Sequence, residues 1–115
     1  MSKQTFQEAI DKIKHNIARF QQIEGKPWGV EGAVIELAKQ VGQLSALVMN
    51  REGYYFAERE KDNTTYLSSD EKIGDELADI LFAVVRIASH YDIDLVALEA
   101  MTRGSEDDFL KQKGV

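Results

Sequence analysis

The chain has 115 residues, with 14 Lys plus Arg against 20 Asp plus Glu and a formal net charge of −6. That length supports one domain spanning residues 1–115, since a second would be too small to bury its own core, and the acidic balance argues against a nucleic-acid polymer as partner, because phosphates attract clustered Lys and Arg. The absence of cysteine excludes disulfide scaffolds, thiolate zinc sites and cysteine nucleophiles, while 43% hydrophobic and 30% charged residues fit neither a disordered nor a membrane-embedded chain.

The opening Met1-Ser2-Lys3-Gln4 carries no apolar signal core, and no apolar run approaches the ~18 residues of a membrane span. A cytoplasmic location without a membrane partner is therefore the expectation. Four stretches show helical periodicity and none the alternation of a strand. The first opens at Thr5, with Glu8 at capping-box spacing, and Phe6, Ile10, Ile13, Ile17 and Phe20 form its predicted apolar stripe. Gly25-Lys26-Pro27 is expected to stop it, because Gly favours a C-terminal cap and the residue before Pro is pushed out of the helical region.

The second helix is predicted from about Val30 to Asn50, with Val30, Ala33, Val34, Leu37, Val41, Leu44 and Val48 facing the core. A long connection follows, about residues 51–67, with Tyr54, Tyr55, Phe56 and Tyr66 among charges. Long loops of this kind are usually functional or disordered. A third helix begins after Ser68, which has capping-box spacing to Glu71, and carries Ile73, Leu77, Ile80, Leu81, Val84 and Ile87. Asp94 caps a fourth helix with Leu95, Leu98 and Met101, and Gly104-Ser105 is expected to break or bend it before Phe109 and Leu110. The fold class is all-α, a four- to five-helix bundle. Apolar residues off the stripes (Ile35, Leu47, Phe82, Val85) point to a second chain that covers them.

The acids are unevenly spread. Asp70, Glu71, Asp75, Glu76 and Asp79 fall within ten residues at the start of the third helix. Acids near a helix N-terminus complement the macrodipole, worth ~0.3–1 kcal/mol each, and Asp70 and Glu71 need no other reason. Glu76 and Asp79 lie deeper, spaced i,i+3 so that both carboxylates face one way beside Leu77 and Ile80. Two carboxylates so placed either stay solvated or hold a cation between them, and oxygen-only ligands suit Mg²⁺ or Mn²⁺. On the second helix Glu36, Gln40 and Gln43, with Lys39 beside them, form a polar stripe that by itself reads as a solvent face.

Taken together, Trp28-Gly-Val-Glu31, Leu37-Ala-Lys-Gln-Val-Gly-Gln-Leu-Ser45, Asp75-Glu-Leu-Ala-Asp-Ile-Leu-Phe82 and Tyr91-Asp-Ile-Asp-Leu95 resemble the MazG-like family of all-α nucleoside triphosphate pyrophosphohydrolases, over roughly residues 28 to 113. The resemblance implies a tightly dimerising helical bundle that cleaves a nucleoside triphosphate to the monophosphate and pyrophosphate with Mg²⁺. The family's Glu-x-x-Asp motif is matched by Glu76 and Asp79. Its Glu-Glu-x-x-Glu motif is not: this chain has Lys39, Gln40 and Gln43 there.

Glutamine offers a carbonyl oxygen but no charge and no base, so the implied cage is about four charge units less acidic than the family pattern. Three outcomes stay open. One metal is held by Glu76 and Asp79 with Glu36 as third carboxylate, the three together being the implied catalytic residues. Alternatively, Lys39 replaces the metal by an ion pair, giving an inactive interaction module. Or the chain binds a nucleotide without cleaving it. By the same resemblance, Trp28, Lys39, Gln40, Gln43 and Arg103 are the substrate-binding set; on the last helix, where Gly104 and Asp107 depart from the family's polar or basic residues, Arg103 is a weak candidate alongside Lys111 and Lys113. Trp28 reads either as a base-stacking platform or as a hydrophobic plug. His15 and His90 lack a second ligand at metal spacing and read as surface or helix-end residues. Gly42, inside a helix, is expected at a close helix crossing.

Overall fold

The structure, a computed structural model, describes residues 3–54 and 68–115. Among the described residues the regular structure is α1 (Phe6–Gln21), α2 (Val30–Arg51), α3 (Asp70–His90) and α4 (Leu95–Gln112). No strand occurs among the described residues. The all-α expectation holds, while Tyr55, Phe56 and Tyr66 of the long connection lie outside the described residues.

Local chemistry decides the helix ends. At α1 the capping box forms as expected: Glu8 N donates to Thr5 Oγ1 at 3.1 Å, and Thr5 N donates to Glu8 Oε1 at 3.4 Å. This helix ends at Gln21, four residues before Gly25. Ile23 N and Glu24 N both turn back to Phe20 O at 3.0 Å, so hydrogen bonding in the last turn, and not the Gly-Lys-Pro sequence, closes it. Gly53 terminates α2 in a left-handed conformation, φ 76°, with Tyr54 N bonded to Met49 O across the turn, the arrangement that glycine allows at least cost.

At α3 the cap is Ser69, whose Oγ accepts from Lys72 N at 3.1 Å, one residue later than the expected Ser68. Ser68 N instead donates to Asn50 Oδ1 at 3.0 Å. Together with the ion pair of Arg51 Nη1 and Asp70 Oδ1 at 2.5 Å, this ties the end of α2 to the start of α3. Asp94 caps α4 through Ala97 N at 3.1 Å, as expected. The predicted break at Gly104-Ser105 is absent: α4 runs unbroken, and Ser105 Oγ donates to Met101 O at 3.2 Å. A single helical glycine costs only ~1 kcal/mol, which the continuous hydrogen bonding around it offsets.

The chain forms two compact units, one of Met1–Lys26 with Val85–Val115 and one of Pro27–Val84, so α3 contributes to both. In the first, Ile10, Ile17, Val85 and Ala88 are buried. Full burial of a side chain such as Val85 stabilises by about 1.5–3 kcal/mol. Arg86 Nη2 stands 2.9 Å from Glu24 Oε1, and both side chains are largely buried. Phe6 and Phe20, expected in the α1 stripe, are exposed, because they lie at the two ends of the helix. No residue of α4 is buried.

The second unit is where the predicted core faces need correction. On α2 the inward row is Ala33, Leu37, Gln40, Leu44 and Leu47, while Val34, Val41 and Val48 are exposed. On α3 it is Ile73, Glu76, Ile80 and Ala83, and Leu77 and Leu81 are exposed. Ala33, Leu37, Leu44, Ile73 and Ile80 face inward as expected, whereas Gln40, Leu47, Glu76 and Ala83 turn inward in place of Val34, Val41, Val48, Leu77 and Leu81. Apolar side chains occur on more than one side of both helices, so periodicity alone does not select the face. Of the off-stripe residues, Leu47 and Val85 are buried and Phe82 half-buried; Ile35 alone remains exposed.

Candidate functional site

These rows bring polar groups inward. Gln40 is 8% exposed, in the middle of the buried row of α2, and Glu76 is half-buried in the row of α3. Helical spacing then assembles a cluster. Glu36, one turn before Gln40, accepts a hydrogen bond from Gln40 Nε2 at 2.6 Å. Lys39, three residues after Glu36, places its Nζ 4.0 Å from Glu36 Oε2.

On α3, Glu76 feels the charges of this cluster. Burial pushes its carboxyl pKa up, and the charge of Asp79 pushes it further; Lys39 opposes this, and Asp75 and Glu36 add to it. The field at Glu76 thus comes from α2 as well as from its own helix. Among the described residues, its Oε2 is buried without a hydrogen-bond partner, and so is Gln40 Oε1. A buried orphan acceptor costs about 1–3 kcal/mol, and a carboxylate more. Each of these two acceptors leaves room for a donor or a cation that the described residues do not supply.

Their chemistry fits a hard divalent ion, since the groups are all carboxylate or amide oxygens. Among the described residues, no group of three or more His, Cys, Asp or Glu stands in a metal-holding arrangement. A cation here would therefore rest on carboxylate and amide oxygen together, with Glu76 and Gln40 as the deepest donors. Asp79, Asp75 and Gln43 are exposed at the margin.

The other predicted residues are more dispersed. Trp28 is 42% exposed and lies against the first turn of α2, where a Cβ on Gly32 would stand 2.9 Å from its Cε3. Gly32 is thus the seat of the indole. Arg103 belongs to the other unit, and its guanidinium is engaged by Glu99 at 2.7 Å and Glu106 at 2.6 Å on its own helix. Lys113 Nζ stands 5.6 Å from the Phe109 ring centre. His15 is exposed, and His90 packs edge-on against Tyr91 at 4.8 Å, both as expected of surface or helix-end residues. Gly42 is exposed with nothing within 4 Å of where its Cβ would stand, so the expected close crossing is absent among the described residues.

Open clefts of about 400 Å³ and 320 Å³ lie in the first unit, and none of the predicted site residues lines them. Sequence reasoning missed the burial of Gln40, although its place in the row with Ala33, Leu37, Leu44 and Leu47 carried the signal. No helix among the described residues is long and apolar enough to cross a membrane. Comparison of the chain with protein-family models, with curated proteins and with solved structures gave no match.

Proposed function

We propose that the chain is a MazG-like nucleotide pyrophosphohydrolase with an altered metal site, cleaving a nucleoside triphosphate to the monophosphate and pyrophosphate. One observation carries this reading beyond the sequence resemblance: among the described residues a half-buried carboxylate, Glu76, and a buried amide, Gln40, each leave an oxygen without a partner, and both interact with Glu36. In the reaction, water oxygen bonds to the α-phosphorus, the bridging bond to the β-phosphate breaks, and its electron pair leaves with pyrophosphate. The proton of the attacking water passes to solvent or to a carboxylate of the cluster that is not bound to the metal. Lys39 supplies a positive charge toward phosphate oxygens, and the Trp28 indole on Gly32 offers an aromatic face to a base. Glu76, Gln40, Glu36 and Asp79 would hold Mg²⁺ or Mn²⁺, which supplies charge neutralisation and polarisation of the phosphoryl group. The exposed Val34, Val41 and Val48 row of α2 supports a homodimeric bundle.

The test is release of monophosphate and pyrophosphate from a panel of common and modified nucleoside triphosphates with Mg²⁺ or Mn²⁺. Turnover abolished by Glu76→Gln supports the reading; no turnover at high enzyme concentration overturns it. A second reading, an inactive nucleotide-binding or protein-interaction module, is favoured by the contacts Glu36 already makes with Gln40 and Lys39. Joint Gln40→Glu and Gln43→Glu substitution separates the two: hydrolysis that appears only in this variant marks the natural chain as the inactive module.

A further inference from the structure

We propose that the open cleft between α1 and the turn joining α3 to α4 binds a free α-amino acid with a small aliphatic side chain. Its carboxylate lies toward Lys14, its ammonium toward Asp92 and its hydrocarbon against Ile17, Ala18 and Ile93. The cleft measures about 320 Å³ and lies wholly within the first unit. None of its residues belongs to the hydrolytic reading, so neither proposal depends on the other.

Charge is the first observation. Lys14 of α1 and Asp92 of the turn line the same cleft. Among the described residues neither the Lys14 ammonium nor the Asp92 carboxylate has an ion-pair partner, and they do not pair with each other. Opposite charges that share one cleft and stay apart leave between them a place for a ligand carrying both.

The backbone holds Asp92 there against its preference. It adopts φ 53°, a conformation that glycine usually supplies at a helix end. Asp92 N bonds to Ser89 O at 3.2 Å and Ile93 N to Ala88 O at 2.9 Å, which fixes the turn. Glycine would serve that turn at lower cost; aspartate adds a carboxylate at the cleft.

Ser89 is a third, independent observation. Its Oγ is buried without a partner among the described residues, although a helical serine can bond back to the carbonyl one turn earlier. A hydroxyl both donates and accepts, so it suits either charged end of the ligand. The apolar surface is aliphatic, with Ile17 buried and Ile93 half-covered. A volume at the lower end of the ~300–1,000 Å³ of ligand sites takes a single amino acid rather than a nucleotide.

The experiment titrates the isotope-labelled whole chain with L-leucine, read by amide chemical shifts and by calorimetry. Two truncated analogues, isocaproate without the amine and isopentylamine without the carboxylate, run alongside. Saturable shifts centred on Lys14, Ser89, Asp92 and Ile93 are expected at millimolar L-leucine, with each analogue about tenfold weaker or worse. Lys14→Met and Asp92→Gly should each weaken L-leucine binding by a similar factor, and Ser89→Ala by about three- to tenfold. Asp92→Gly suits the turn, so its loss of binding is not a loss of fold. No saturable shift at millimolar L-leucine overturns the proposal. So do analogues that bind as well as L-leucine, which mark an apolar cleft only, and so does unchanged affinity in Lys14→Met or Asp92→Gly.

Discussion

In the unit built from α1, the end of α3 and α4, Arg86 Nη2 stands 2.9 Å from Glu24 Oε1 with the side chains 15% and 13% exposed. In the unit built from α2 and the rest of α3, Gln40 bonds to Glu36 at 2.6 Å and Glu76 feels the charges of Glu36 and Lys39, yet Gln40 Oε1 and Glu76 Oε2 are buried without partners among the described residues. The first cluster pairs opposite charges through a charge-assisted hydrogen bond and is chemically closed. The second gathers acceptors and raises the proton affinity of Glu76. Burial of charge alone therefore does not mark a functional site.

The largest expected effect tests the closed cluster. Arg86→Ala leaves Glu24 without its guanidinium, and loss of about 3–5 kcal/mol in denaturant unfolding is expected; a loss under about 1 kcal/mol would erase the contrast. In the open cluster the sign reverses. Glu76→Gln removes a charge that burial and neighbouring carboxylates disfavour, so a gain on the order of 1 kcal/mol is expected at neutral pH without metal.

That gain should depend on pH. Because burial, then Asp79, holds the Glu76 carboxyl above its ordinary value of 4.5, the folded chain binds this proton more tightly than the unfolded one. The associated stability is fully present below 4.5 and is lost as pH rises through the raised value. The advantage of Glu76→Gln should therefore be greatest at neutral pH and shrink in acid, as read from unfolding midpoints across that window. A pH-independent difference would break the assignment.

Smaller effects probe the exposed faces. Gly42 and Gly104 sit inside helices, one in each unit, with nothing within 4 Å of the position an added methyl would take. Alanine at either should stabilise by ~0.5–1 kcal/mol. If Gly42→Ala instead weakens self-association in sedimentation, the α2 face is covered by a second copy. Smallest is Asp92→Gly. Asp92 adopts φ 53° in the turn after α3, and glycine should relieve about 0.5 kcal/mol of backbone strain, measured by thermal unfolding.

Much of this molecule was legible in local sequence. The Thr5–Glu8 box, the Asp94 cap and the extents of α2 and α3 follow from side chains three and four residues apart, and hydrogen bonds at that range form within the helix itself. The presence of Glu36, Gln40 and Glu76 at helical spacing was legible as well. Their depth was not. Val34, Val41 and Val48 compete with Ala33, Leu37, Leu44 and Leu47 for the core of α2, and Leu77 and Leu81 compete on α3. Either choice satisfies the helical period. Only packing of α2 against α3 decided that the rows holding Gln40 and Glu76 face inward, because burial depends on the rotation of each helix about its axis, which no local interaction sets. Sequence by itself determined the helices, their caps and the inventory of oxygens; tertiary structure decided which of those oxygens are buried and left unsatisfied.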